Sequence, residues 1–543
     1  MPQDAFTIRR NAAELNGMLA GGRINRINQP SREELSLIIY TGKETVKLIL
    51  NVNASECGVY FTENDRENPL VAPNFCMLLR KHLQSAEILA VETVGFERIY
   101  RFRLACVSDF SSCERVLYAE IMGKYSNLIL TENGTILGAM KTTSIDENCK
   151  RMIFAGAKYA LPAPQDKADP QDFSALRTAL TGFEGDPRAL FLKVSGLAPA
   201  TAEKIAETYR GGDYAKHVSD FIFRSPTAPC VLRREGKPVD FYAYSVTGAI
   251  PYATLSEAQT AFYRDKRAIK EFEELARRLL SAINASVKKH EKRLGQILDK
   301  RRECENTEEL RVKGELLTAN LYRLERGLDA CELENFYGGA PLKIALDSRI
   351  TPAQNAQNYF KKYRKQKRTL EALIPQEQEA REELDYLQSL RAAVTSASTA
   401  DDLKCAEEEL GAAEILKAPQ EKTRKKKAEI PFRAYEKAGF RIFAGRNNLQ
   451  NDKLLKTGAP EDIWLHAQKY HSCHVLIRTE GRSVPEETLL FAAGICAKYS
   501  DGNGDRIPVD HCKLKHVKKP PKAKAGFVTY SDYKTVLVSP AED

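Results

Sequence analysis

The sequence predicts a multidomain α+β protein, and three observations carry that expectation. The chain has 543 residues, enough for three or four domains with cores of their own. Strand-like and helix-like patterns mix up to about residue 258. From residue 259 the apolar spacing changes to a coiled-coil seam, which recurs from about 353 to 410. After residue 428 short apolar strands return, with one strong helix. These changes divide the chain into 1–172, 173–258, 259–427 and 428–543.

Within 1–172, DAFTIRRNAAELNGML has helical spacing at Phe6, Leu15 and Leu19, and ELSLIIY, TVKLILNVN and CGVYFTE read as strands. APNFCMLLRKHLQS reads as a short amphipathic helix carrying Arg80, Lys81 and His82. NLILTENGTILGAM joins two apolar runs through Asn133-Gly134, a type I′ hairpin signal. Within 173–258, PQDFSALRTALTG and FLKVSGLAPATAEKIAETY place a tight turn at Gly196 between helices, the second opening near Pro199. This is a helix-hairpin-helix pattern, whose turn amides and following helix N-terminus can hold a phosphate.

In 259–427, Leu275, Leu279, Ile283, Val287, Leu294 and Ile297 recur at steps of three, four or seven. Tyr359, Tyr363, Leu370, Leu373, Leu384 and Leu387 continue the pattern after Thr351-Pro352, a capping residue followed by proline at the first helical position. Two helices of about 45 residues, folded back antiparallel on each other, make an arm about 65–70 Å long. The plain reading of such an arm is a dimerisation rod, but the insert at its tip is polar, basic and aromatic, which a pure spacer does not require. In 428–543, GFRIFAGR, HVLIRT and KTVLVSP read as strands and PEETLLFAAGICAKYS as a helix starting at Pro485, together a small α/β domain.

Composition excludes several classes. No apolar run reaches the roughly 18 residues that span a bilayer, and MPQDAFTIRRNAAELNG has no apolar signal-peptide region. Twelve scattered cysteines without a CxxC pair fit reduced thiols in a cytoplasmic protein. Net charge is +9, and the basic residues cluster. KLKHVKKPPKAK (513–524) holds six lysines and no acid, and KTRKKK (422–427) is basic throughout. Such clusters are the footprint of a polyanion partner, or of a solvated face or linker. Walker, GxGxxG, GxSxG and HExxH motifs are all missing, which counts against a conventional enzyme.

Three constellations bear on chemistry. DIWLHAQKYHSCHVLIRT (462–479) contains the only tryptophan, and its His466, His471, Cys473 and His474 have ligand-type side chains, with His511, Cys512 and His516 as further candidates. His471, Cys473 and His474 are too crowded for the paired spacing of a zinc site, although His511, Cys512 and His516 could supply partners. An aromatic and imidazole surface beside the lysine run, with Trp464 packed or stacked, suits unpaired bases and RNA backbone better. A second candidate is Pro2, a Schiff-base nucleophile if Met1 is removed, but Gln3 follows where a proton-transferring carboxylate is wanted. The third is Asp4 with GFERIYRFRL, where Glu97 and Arg98 precede Arg101 and Arg103; surface ion pairing is the ordinary fate of such residues.

Taken in order, Asp4, MLLRKHL, ERI, EIMGKYSNLIL, KGELLTAN, LDSRITPAQNAQNYFKKY, GRNNLQND, DIWLH and VKKPPKAKAGFV resemble the NFACT family over nearly the whole chain. The resemblance implies an NFACT-N domain, a helix-hairpin-helix, a coiled-coil arm and an NFACT-R domain. It further implies a cytoplasmic factor of ribosome quality control, with no catalytic residues, cofactor or metal. Such a factor binds stalled 50S subunits and their rRNA while peptidyl-tRNA is still in place. It recruits alanyl-tRNA and supports template-free C-terminal alanine tailing. By the same resemblance Asp4, Glu97 and Arg98 match positions linked to tRNA recruitment, although the family pair is Asp-Arg and this carboxylate is one methylene longer. Arg446, Asn447, Asn448, Trp464, His466, His474, Lys518 and Lys519 are expected to form an RNA-facing surface. Where the family has Pro-Gly-Ser-His this chain has His471-Ser472-Cys473-His474, sharing only the last. The alternative reading, from another class, is a surface adhesin with fibronectin as partner.

Overall fold

Asn133 and Gly134 both adopt positive φ, 50° and 71°, so the two-residue turn has the twist that a tight hairpin needs. Glu132 pairs with Thr135 across it. This turn closes the last two strands of a nine-stranded sheet in the computed structural model, which describes residues 3–63, 68–108, 111–143, 151–163, 165–416 and 430–541. Pro2 and the KTRKKK run lie outside the described residues. Two compact units are present, Met1–Lys270 and Glu271–Asp543.

In the first unit, helix α1 (Ala5–Leu19) precedes strands β1 (Arg23–Ser31), β2 (Glu34–Tyr40), β3 (Thr45–Asn51) and β4 (Gly58–Phe61). Helix α2 (Asn74–Leu83) then leads to β5 (Glu87–Thr93), β6 (Ile99–Ser108), β7 (Ser111–Glu120), β8 (Asn127–Glu132) and β9 (Thr135–Ala139). The sheet order is β4-β3-β2-β1-β5-β6-β7-β8-β9, and every pairing is antiparallel. Ile8, Ala12, Leu15 and Leu19 of α1 and Phe75, Cys76, Leu79 and Leu83 of α2 share one core with the strands, the apolar spacing of an amphipathic helix.

Four helices follow: α3 (Phe173–Leu180), α4 (Pro187–Lys193), α5 (Pro199–Thr208) and α6 (Tyr214–Arg224). The sheet β10 (Cys230–Arg234), β11 (Lys237–Tyr242) and β12 (Ile250–Pro251) closes a second core. Helix α7 (Leu255–Glu303) begins in this unit. Its first amides, on Leu255 and Ser256, each donate to the Glu14 carboxylate at 2.9 Å, so a charge on α1 satisfies otherwise orphaned donors at a helix start.

In the second unit α7 continues and is answered by α9 (Pro352–Thr395), with α8 (Thr307–Ala319), β13 (Ala330–Leu333) and β14 (Leu342–Ala345) between them at the tip. Thr351 and Gln354 form a full capping box at the start of α9, as the Thr-Pro signal predicts. The seam is the expected one. Leu279, Ile283 and Val287 pack with Tyr386, Leu387 and Leu390, while Ile297 packs with Leu373 and Ala380, an antiparallel pairing. Pro375 lies inside α9 without ending it.

Helix α10 (Ala400–Ala412) leads to the last domain: β15 (Arg433–Lys437), β16 (Phe440–Ala444), α11 (Asn448–Thr457), β17 (Ile463–Ala467), β18 (Val475–Ile477), α12 (Glu486–Lys498), β19 (Ile507–Lys513), β20 (Val517–Lys518), β21 (Thr529–Tyr530) and β22 (Lys534–Val538). Six of these strands form an antiparallel sheet in the order β15-β16-β18-β17-β19-β22. Both faces of this sheet are covered. One packs Leu465, Val475 and Ile477 against α12, and the other packs Trp464, Leu476 and Cys512 with Leu454 of α11.

Candidate nucleic-acid interface

Asp4 is almost wholly buried, with 3% of its surface exposed. One carboxylate oxygen accepts the Thr7 amide at 2.9 Å, capping α1, and the other accepts the Ala198 amide at 3.1 Å, just before α5. The helix-hairpin-helix turn therefore gives this donor to a carboxylate of its own chain, which corrects the expectation that the amide is available to a phosphate. The Ala5 amide donates to the Gly196 carbonyl at 2.8 Å. A Cβ on Gly196 would lie 2.6 Å from Cδ1 of Phe96. Asp4 and the Phe96-Glu97-Arg98 loop between β5 and β6 thus meet at the Gly196 turn.

Glu97 and Arg98 are half-buried there. Burial pushes the Glu97 carboxyl up, Asp169 adds to the rise, and Arg98 opposes it. The exposed member that the sequence reading missed is Arg9, whose guanidinium lies 5.2 Å from the centre of the Phe223 ring; that ring in turn packs edge-on to Phe96. Arg10 instead turns inward and donates to the Ser225 carbonyl at 2.9 Å, at the end of α6. Arg101 and Arg103 are spent on Glu92 and Glu114, at 2.5 and 2.7 Å. The usable polar surface is therefore Arg9, Glu97 and Arg98, with Asp4 as the buried clamp beneath it.

In the second unit a dense cationic surface lies on the third to fifth turns of α9. Lys361, Lys362, Arg364, Lys365, Lys367 and Arg368 are all exposed, with no carboxylate at ion-pair distance among the described residues. The lysine run at 513–524 behaves differently. Lys513 and Lys515 both reach Glu461, at 2.7 and 2.8 Å, Lys519 pairs with Asp452, and Lys524 pairs with Glu383 at 2.5 Å. Lys518 and Lys522 remain exposed. Holding two lysines lowers Glu461 to about 2.

Four expected surface residues are corrected by burial. Trp464 has no exposed surface and His474 has 1%, so neither presents a face to a base. Both belong to the second covered side of the sheet, where α11 and the β20–β21 ribbon shield what an alternating strand pattern offers to solvent. Asn447 and Asn448 are buried because they join this domain to α10. Asn447 caps α11 through the Gln450 amide and donates to the Cys405 carbonyl at 2.6 Å, while the Asn448 amide donates to Glu409 at 3.0 Å. Arg446, mostly covered, pairs with the fully buried Asp402, which also takes Arg433 at 3.0 Å.

His466 stays partly open. Its ring lies parallel to Trp464 at 5.7 Å, and His474 stands edge-on to both. Burial, with His471 adding, lowers His466 to about 4, so it is neutral at physiological pH. His471 points elsewhere, held between Asp501 at 2.9 Å and Asp385 of α9 at 3.1 Å. His466, His471 and Lys469 line a groove of about 780 Å³ between α9 and the last domain, with Arg433, Tyr470 and Phe527. No helix among the described residues is long and apolar enough to cross a membrane.

These features define a multidomain protein built from binding surfaces: a clamped helical hairpin, a cationic arm and a grooved terminal domain. The chain belongs to the NFACT family. The family model of the NFACT N-terminal and middle domains matches residues 4–429, and that of the NFACT protein RNA binding domain matches residues 430–529. Among curated relatives, "Rqc2 homolog RqcH" of Bacillus subtilis is 34% identical, the match covering 98% of this chain and 96% of the relative. The protein of the same name from Streptococcus suis is 32% identical, with 100% and 99% covered. A solved structure of the N-terminal part of the fibronectin/fibrinogen-binding protein from Streptococcus suis is 28% identical, covering 48% of this chain and 99% of that one, with a TM-score of 0.44.

Proposed function

We propose that this protein is a ribosome-associated quality-control factor. It binds 50S subunits that still carry peptidyl-tRNA, recruits alanyl-tRNA and supports template-free alanine tailing of the nascent chain, in the cytoplasm. The observation that carries the reading is the full-length match to proteins named as Rqc2 homologues, joined to an RNA-binding domain at residues 430–529. The surfaces support it. The Arg364 patch lies about 40 Å along α9 from Ser389, where the last domain docks, so one rigid helix carries two separated sites for RNA. Two weak contacts held at a fixed spacing bind far more tightly than either alone. Arg9, Glu97 and Arg98 supply a polar surface for tRNA. The chain needs no catalytic group of its own, because the peptidyl-transferase centre of the subunit makes the peptide bonds.

The test is to capture the tagged protein from its own cells at low salt and sequence all co-purifying RNA. Large-subunit rRNA without small-subunit rRNA, together with enriched alanine tRNA, is the expected result. Absence of rRNA would refute the reading. Large-subunit rRNA without tRNA enrichment would refute its tailing part and leave a subunit-binding factor.

A further inference from the structure

The groove between α9 and the last domain has the features of a ligand site that RNA-backbone binding does not use. Its volume of about 780 Å³ lies within the roughly 300–1,000 Å³ of small-ligand sites, too small for a duplex and ample for one nucleotide. The walls combine rings with paired charge: His466, Tyr470, Phe527 and Tyr530 contribute rings, Asn451 and Ser389 contribute polar edges, and the charges of Arg433 and Arg446 are held by Asp402. Phe527 is 51% exposed and Tyr470 37%, so these rings stand open at the mouth instead of packing into a core. Base-on-ring stacking of this kind is worth about 1–3 kcal/mol per base.

Two further observations point to an occupant. Arg433 lines the groove and is 94% buried (6% exposed), yet its Nε has no hydrogen-bond partner. A buried guanidinium donor without a partner is costly unless something arrives to meet it. At the mouth, Lys469 and Lys522 are exposed and both hold left-handed backbone, φ 64° and 65°. That conformation is strained for a residue with a side chain and is cheapest for glycine. Keeping a lysine at both positions keeps two cations at the rim. The acids of the rim lie on the helix side, where Asp385 is already held by His471 and Glu382 accepts from Gln378 at 2.9 Å.

We propose that this groove takes one unstacked nucleobase of a single-stranded RNA segment, stacked among His466, Tyr470 and Phe527, with its phosphate on Lys469 and Lys522. The proposal rests on the RNA-binding reading above and names the part of the RNA that this site reads. A neutral His466 suits a neutral base, while an anion in the depth of the groove would find no free cation beside it. The ligand's edge faces the wall that Arg433 lines, and its phosphate stays at the wet rim.

The only tryptophan reports on the site, since Trp464 lies parallel to His466 at 5.7 Å. The full-length protein is titrated with AMP, GMP, CMP and UMP, and with ribose 5-phosphate, while tryptophan emission is followed. At least one nucleotide is expected to give a saturable change with a dissociation constant in the low millimolar range or below, about −4 kcal/mol or better, and ribose 5-phosphate none. Ala393→Phe, which fills the groove from α9, is expected to weaken that response at least tenfold. The rim variant Lys469→Glu with Lys522→Glu, on exposed side chains, is expected to abolish the preference for the monophosphate over its nucleoside. It keeps the test valid if Ala393→Phe fails to fold.

No saturable change with any nucleotide up to about 10 mM, an equal response to ribose 5-phosphate, or a response only to an acidic peptide would overturn the proposal. So would unchanged binding by folded Ala393→Phe. Co-purification of rRNA separates this from the proposed function: nucleotide silence with rRNA retained removes the groove site alone, whereas nucleotide binding without rRNA removes the ribosomal reading.

Discussion

Asp402→Asn should loosen the last domain. Asp402 is fully buried. It takes Arg433 at 3.0 Å and Arg446, and accepts the Ser398 and Thr399 amides at 3.1 and 3.0 Å while capping α10. Burial alone would raise its carboxyl, but the charge of Arg433 and the hydrogen bond from Arg446 outweigh that and hold it below the ordinary range. Asparagine keeps the shape and one acceptor, yet leaves two covered guanidinium groups without a counter-charge. Breaking a buried ion pair from one side costs about 3–5 kcal/mol. With a urea slope of about 1.5 kcal/mol per M, the midpoint falls by about 2–3 M.

Urea unfolding followed by tryptophan emission is the assay, because Trp464 is the only tryptophan, lies in this domain and is fully buried. Asp401→Asn is the control: Asp401 is half-exposed and pairs with Lys404 at 3.0 Å, worth well under about 1 kcal/mol. A depressed carboxylate contributes stability above its unfolded value and loses it as pH falls through the folded one. Wild type and Asp402→Asn should therefore converge at acid pH, once the medium falls below the depressed value of the Asp402 carboxyl. A midpoint for Asp402→Asn no lower than that of the control at pH 7 would refute the reasoning.

Gly196→Ala should open the helical hairpin from the first sheet, because φ is +75° and the new Cβ would lie 2.6 Å from Phe96 and 2.8 Å from Ala5. The cost is about 2–4 kcal/mol, read as faster exchange of the Ala198 amide, and unchanged protection would contradict it. His466 is lowered to about 4 and His474 lies well below its ordinary value, both by burial first. The unfolded chain therefore binds protons that the fold refuses between about pH 6.5 and 4, and stability is full above that window. The tryptophan-detected midpoint should fall across it by about 1–3 kcal/mol for His466, and a flat profile from pH 7.5 to 4.5 would count against the burial account. Replacing Lys361, Lys362, Lys365 and Lys367 with glutamine should lower the slope of log K against log salt for subunit binding by about 3. The same exchange at Lys513 and Lys515 should change it by less than about 1, and equal effects would mean that the pairing with Glu461 does not persist in solution.

What was legible in the sequence was local or periodic. Asn133-Gly134 demands positive φ, Thr351-Pro352 supplies a cap and a preset first turn, and Leu279, Ile283 and Val287 state a seam whatever the partner. The rest depends on residues far apart in the chain. That Asp4 accepts the Ala198 amide just before α5 is a bond spanning 194 positions. That Trp464 is covered depends on α11 and the β20–β21 ribbon, and a strand's own alternation cannot say whether its second face meets water or another layer. The groove belongs to the same class. Arg433 and Tyr470 carry no motif, and the left-handed backbone of Lys469 and Lys522 has no signature in a residue type that rarely adopts it.

The lysine run shows how charge counted along a sequence differs from charge available at a surface. Lys513, Lys515, Lys519 and Lys524 hold Glu461, Asp452 and Glu383. A phosphate approaching them must compete with a carboxylate already in place. The six cations of residues 361–368 have no such competitor, so each phosphate there releases counterions in full and contributes to a steep salt dependence. Among the described residues that line the groove, the cations without a carboxylate partner are Lys469 and Lys522, at the rim of a cleft rich in rings. A surface with little long-range attraction gains little from backbone contact and more from what it can enclose. On the proposed reading, affinity comes from the arm and discrimination from the groove.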